Sequence, residues 1–251
     1  MGWSFDYAAW QIVAIIATYL VGAAVKGITG LGFSTTCLPF LAFTVGLKEA
    51  LPLVVIPSVT SNFIVMYNAG RFRETLVRFR TMLAMTAIGV VLGLMALASV
   101  SSAQAGGALG IILLLWCLFS LFNPRFSIPE QWEKPIQPVS GLITGLINGA
   151  TGSQVFPMVP FLMMLHLERN LFVQAVNCSF TLSSLLMMVG LSHLGLVTFD
   201  AIILSAAGTL IIVFGLRAGE RIRAHLSPEK FRIAVLLVLM AMGVSLLATA
   251  L

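Results

Sequence analysis

The chain has 251 residues, of which 59% are hydrophobic and 9% charged, with 14 Lys and Arg against 9 Asp and Glu for a formal net charge of +5. A mean hydropathy of +1.03 leaves too little polar surface to coat a water-soluble globule, which excludes a soluble domain of useful size. The composition specifies an all-α polytopic membrane protein, and the basic excess reports topology rather than nucleic-acid binding.

A helix crosses a bilayer in about 20 residues, so the chain is long enough for eight to ten membrane segments. The start, Met1-Gly2-Trp3-Ser4-Phe5-Asp6, lacks the basic residues of a cleavable signal peptide. Apolar segments follow at residues 7–26, 33–45 and 49–69, the last carrying Ser58, Ser61 and Asn62. A loop with Arg71, Arg73, Arg78 and Arg80 leads to segments 81–100 and 105–122. The proline-rich stretch from Asn123 to Pro138 reads as a connector. Segments 137–150, 153–165, 170–193 and 199–216 come next, then a second basic loop with Arg217, Arg221, Arg223, Lys230 and Arg232, then segment 231–250. The positive-inside rule puts the loops at 71–80 and 217–232 in the cytoplasm. Segments 33–45 and 137–150 are short for full spans, so re-entrant hairpins and ten true spans both satisfy the charge pattern. Cys37, Cys117 and Cys178 lie in apolar runs without metal-ligand spacing and read as core residues.

Two stretches repeat. Gly27, Thr29 and Gly30 align with Gly149, Thr151 and Gly152 at an offset of 122, and Pro39-Phe40-Leu41 aligns with Pro160-Phe161-Leu162 at an offset of 121. One integral domain, 1–251, therefore divides into repeat one at 1–122, a cytoplasmic connector at 123–136 and repeat two at 137–251. The basic loop follows the third segment of the first half but the fourth of the second, so the halves run in opposite senses. Five segments per half is the odd number an inverted repeat requires.

The glycine breaks carry the chemistry. Non-helical backbone inside a bilayer is tolerated where it is buried in protein or lines a watery cavity. Gly30-Leu31-Gly32 before Ser34 and Thr35 starts a new helix with free N–H groups and hydroxyls, and Thr151-Gly152-Ser153-Gln154 does the same from the other side. Two such N-termini converging near the midplane suit an anion. Lys26 strengthens that sign if it faces the substrate, and is a topological lysine if it snorkels to the interface. Candidate substrate contacts are Lys26, Thr29, Gly30, Gly32, Ser34, Thr35, Asn62, Asn148, Thr151, Gly152, Ser153, Gln154 and Asn177. Asn62 and Asn177 have the alternative reading of interhelical hydrogen bonding. The rows Gly89, Gly93 and Gly141, Gly145, Gly149 read as close helix packing instead. His166, His193 and His225 lie at segment ends and read as interfacial. The chain lacks a carboxylate pair, a His cluster or a Ser-His arrangement within the membrane, so it does not read as an enzyme, and no metal or cofactor is expected.

These two glycine-rich motifs, one per half of a highly apolar chain of this length, resemble the sulfite exporter TauE/SafE family of membrane transporters. Lys26-Gly27-Ile28-Thr29-Gly30-Leu31-Gly32-Phe33 leading to Pro39 is similar to the family's first motif, and Gly145 through Gly152 leading to Pro157 and Pro160 to its second. Ser153 and Gln154 depart from the family's richer glycine runs. The resemblance implies movement of a small sulfur-containing oxyanion, sulfite, thiosulfate or an organosulfonate, across a bacterial inner membrane. The expected partners are that anion and membrane lipid, with a homodimer as one compatible assembly and no nucleic acid. All nine acids sit at segment ends or in loops, and an anion leaving a cell that is negative inside gains about 2.3 kcal/mol per charge per 100 mV. Export is therefore slightly favoured over uptake with a coupled cation, and an anion channel at the same site is the other alternative.

Overall fold

A computed structural model describes residues 7–29, 32–122, 126–223 and 227–250. These residues form eleven helices and no strand: α1 (Ala9–Thr29), α2 (Phe33–Val45), α3 (Leu47–Ala69), α4 (Phe72–Arg78), α5 (Arg80–Ser99), α6 (Ser102–Phe122), α7 (Glu130–Thr151), α8 (Met158–Met164), α9 (Arg169–His193), α10 (Phe199–Arg223) and α11 (Pro228–Ala248). Seven of them, α1, α3, α5, α6, α9, α10 and α11, are long and apolar enough to cross a membrane. The protein is thus multi-pass and all-helical.

Four stretches differ from the sequence reading, the last being Arg217 to Arg223, which continues α10 instead of forming a loop. The Arg71 to Arg80 loop folds into α4, because Glu74 and Arg78 sit at helix-compatible ends of a short amphipathic turn. The proline-rich connector is helical from Glu130 on, with Pro135 and Pro138 inside α7. Each proline removes one helical N–H. The carbonyls so freed belong to Gln131 and Lys134, which are exposed and can bond water. Segment 153–165 is helical only over the seven residues of α8, since Ser153 to Pro157 form the turn that follows Gly152.

The helices pair as α5 with α7, α1 with α10, α6 with α11, and α3 with α9. Small residues set two of these contacts. A Cβ at Gly141, Gly145 or Gly149 would run into the backbone carbonyl of Met82, Thr86 or Val90, so the backbones of α7 and α5 touch along three turns. Gly27 of α1 and Gly219 of α10 meet in the same way, each against the other's backbone. At the centre, Pro57 within α3 deprives the Leu53 carbonyl of its helical donor. The Tyr19 hydroxyl of α1 donates to that oxygen at 2.6 Å and the Ser205 hydroxyl of α10 at 3.2 Å, so a proline defect becomes a three-helix joint.

At the end carrying the basic loops, Arg78 donates twice to Glu133 at 2.7 and 2.8 Å, tying α4 to the start of α7. Arg71 bonds Glu168 at 3.0 Å, tying α4 to the α8–α9 link.

Candidate functional site

Two helix ends are set by left-handed glycines, Gly32 before α2 at the first chain reversal and Gly152 after α7 at the second. At the first, Lys26 is 2% exposed, and its Nζ donates to Ser61 Oγ at 3.0 Å and to Asn62 Oδ1 on α3. Ser61 Oγ donates to the Ser58 carbonyl at 2.8 Å, and the Ser58 and Ser34 hydroxyls bond each other at 2.7 Å. A continuous polar chain therefore joins α1, α3 and α2. Gly32 takes the left-handed φ of 93° ahead of α2. The first helical bond runs from Thr36 N to Gly32 O at 2.9 Å, so the N–H groups of Phe33, Ser34 and Thr35 have no intrahelical acceptor.

At the second reversal α7 stops on Gly152, with φ of 78° and its N–H donating to the Asn148 carbonyl at 2.6 Å. Thr151 Oγ1 donates to Ile147 O at 2.7 Å and accepts from Ser153 N at 3.2 Å. Gln154 Nε2 donates to Ser184 Oγ on α9 at 3.0 Å, and Met158 N donates to Thr144 Oγ1 at 3.0 Å. The side-chain oxygen and nitrogen of Asn148, and Gln154 Oε1, are buried without a hydrogen-bond partner. Buried orphans of this kind cost about 1–3 kcal/mol each, so they mark a place where another polar group is expected.

Two cavities adjoin these reversals. The larger, about 410 Å³, lies between the first reversal and α6, α8, α9 and α11. Its polar lining is Thr29, Gly32, Thr35 and Thr36 from the first reversal and Ser120 from α6; the Thr36 hydroxyl is buried without a partner. His166 at the α8–α9 link and Arg232 in the first turns of α11 lie on its wall. Among the described residues Arg232 is the one permanently charged residue of its lining, a charge whose sign favours an anion. The smaller, about 20 Å³, is lined by Ser34, Ser58, Asn148, Gln154 and Ser184 with Leu38, Leu51 and Gly152. That is room for about one water.

The candidate residues thus divide. Thr29, Gly32 and Thr35 line the larger cavity, and Ser34, Asn148, Gly152 and Gln154 line the smaller. Lys26 and Asn62 bond each other and line neither. Thr151 and Ser153 are bonded together within the second reversal. Asn177 donates to Val173 O at 2.8 Å along its own helix and lies away from both cavities. Gly30 lies outside the described residues.

Sequence reasoning missed Thr36, Trp116, Ser120, Ser184 and Arg232. Ser184 had a signal: Gln174, Asn177, Thr181 and Ser184 recur every three or four residues, one polar face of α9. Arg232 had none, because it reads as one more cytoplasmic charge. Among the described residues no group of three or more His, Cys, Asp or Glu is placed to hold a metal.

Eleven helices among the described residues, seven of them long and apolar enough to cross a membrane, make this a multi-pass membrane protein. The sequence model of the family Sulfite exporter TauE/SafE matches residues 14–246, so the chain belongs to that family. Membership makes it a membrane transporter of sulfur anions. No curated protein and no solved structure matches the chain.

Proposed function

We propose that the protein is a secondary transporter that carries a small sulfur oxyanion across the bacterial inner membrane by alternating access. The observation that carries this reading is the larger cavity. It joins a cationic wall residue, Arg232, to the first turn of α2, where the Thr36 hydroxyl is buried without a partner. An oxyanion needs donors on several sides, and a helix N-terminus supplies them with a favourable dipole. Asn148 and Gln154 at the second reversal form the counterpart for the opposite-facing state.

The repeat supports alternation. With Gly27 aligned on Gly149, α1, α2, α3, α5 and α6 correspond to α7, α8, α9, α10 and α11. Exchanging the halves turns the α5–α7 pair into α10–α1 and leaves α3–α9 and α6–α11 unchanged. Val155 and Val159 of the larger cavity fall on Ser34 and Leu38 of the smaller at an offset of 121. The two cavities are then one site seen from two sides, open on one and collapsed on the other. The larger cavity lies toward the basic loops, the cytoplasmic end by the positive-inside rule, which is the side from which an exporter would load.

The collapsed side argues against a channel: Gly152 packs on Leu38 and Leu51 where a continuous pore would have to pass. Counterflow in proteoliposomes tests the reading. Labelled sulfite, thiosulfate or organosulfonate should enter faster when unlabelled substrate is trapped inside, with saturation. Flux without trans-stimulation identifies a channel, and no flux of any sulfur anion by folded protein removes the reading.

A further inference from the structure

We infer that the preferred substrate is an amphiphilic monoanion, an alkyl or aryl sulfonate with a hydrocarbon body of several carbons, rather than bare sulfite. This rests on the transport reading above and narrows the substrate of the same cavity. The cavity's volume, about 410 Å³, falls in the range of sites that enclose organic ligands, about 300–1,000 Å³. It is far larger than a bare oxyanion needs.

Its lining is divided in kind. Its polar side chains are Thr29, Thr35, Thr36, Ser120, His166 and Arg232, and Thr36 Oγ1 is buried without a partner. The rest of the wall includes Trp116, Val159, Phe172, Phe180 and Leu239. Such a wall cannot replace the hydration of an ion whose surface is nearly all oxygen, and stripping that water without compensation is costly. A sulfonate presents three oxygens at one end only. Its headgroup can take the α2 N-terminus and Thr36, while its carbon body lies on the aromatic and aliphatic wall. Among the described residues the lining carries one guanidinium and no carboxylate, which suits a net charge of one.

Trp116 allows a binding measurement that does not depend on transport. The chain has four tryptophans, so a variant with Trp3→Phe, Trp10→Phe and Trp132→Phe leaves Trp116 as the single reporter. In nanodiscs its fluorescence is titrated with sulfite, methanesulfonate, butanesulfonate, hexanesulfonate and the uncharged control 1-hexanol. Affinity should rise about fourfold for each methylene buried, hexanesulfonate should exceed sulfite by at least about tenfold, and Arg232→Gln should weaken hexanesulfonate about tenfold. Sulfite binding as tightly as hexanesulfonate overturns the inference and leaves the transport of sulfur anions standing. Equal response to 1-hexanol also overturns it, by making the cavity a recess for lipid chains. Silence to every anion, together with no counterflow of any of them, overturns both readings.

Discussion

Gly152 concentrates three demands on one residue. Its backbone sits at φ of 78°, a region that side-chain-bearing residues rarely adopt. A Cβ there would meet Leu38 and Leu51, and the residue lines the smaller cavity between the repeats. Gly152→Ala should therefore cost about 1–3 kcal/mol from backbone strain, and Gly152→Leu should abolish flux while the protein still inserts in the membrane. Transport and surface-expression assays check this, and normal flux by Gly152→Leu would remove the residue from the site. That a glycine mattered here was legible, because a Thr-Gly-Ser-Gln run interrupts an otherwise apolar segment; that it packs on Leu38 and Leu51 was not. The fate of Lys26 was not: the sequence shows a buried cation near a break, and whether it turns to a cavity or to Ser61 and Asn62 depends on how α1 and α3 are rotated against each other.

At the scale of helices, the boundaries of the long apolar elements were readable within a few residues because hydropathy defines them, except that α10 runs on past residue 216 to Arg223, where the chain turns basic but stays helical. What hydropathy could not show was where prolines are tolerated. Pro57 lies mid-helix because Tyr19 and Ser205 satisfy the carbonyl it frees. Tyr19→Phe should cost about 1–2 kcal/mol and Ser205→Ala less, with the double variant losing more than the sum, since only then is the Leu53 carbonyl an unsatisfied buried acceptor. Thermal unfolding of the four species closes that cycle. The link from α4 to α7 gives a pH prediction. The Arg78 guanidinium bonded to Glu133 holds its carboxyl below the usual carboxylate range, and Glu133 in turn raises Arg78. A depressed folded value means that the stabilisation is present above the unfolded glutamate value of about 4.3 and is lost as pH falls through the lower, folded one. Glu133→Gln should lower stability by about 1 kcal/mol at pH 7, discounted because the guanidinium is partly exposed. The same variant should flatten the loss that the parent shows below about pH 4; a parallel acid limb in both proteins would assign that loss to other carboxylates.

For the whole molecule, the pairing of helices and the pairing of cavities point to one transition. Leu38 lines the small cavity and Val159 the large one, and they are equivalent residues at an offset of 121. If the halves exchange conformations, the two should exchange accessibility. With Cys37, Cys117 and Cys178, all buried, replaced by alanine, Val159→Cys should react with a membrane-impermeant thiol reagent from the side of the basic loops, and Leu38→Cys should be protected. A substrate gradient that drives the site to the opposite face should reverse the order, with Leu38→Cys gaining and Val159→Cys losing about tenfold or more in rate. That ratio corresponds to a shift of about 1.4 kcal/mol between the two states, well within what differential substrate binding supplies. Both cysteines reacting at once, each from its own side and whatever the gradient, would mean a continuous aqueous path and would replace alternation with a pore. If the halves are oppositely oriented copies of one five-segment element, as the sequence repeat proposes, the first outcome is the expected one, because each copy can take the other's conformation without any new fold.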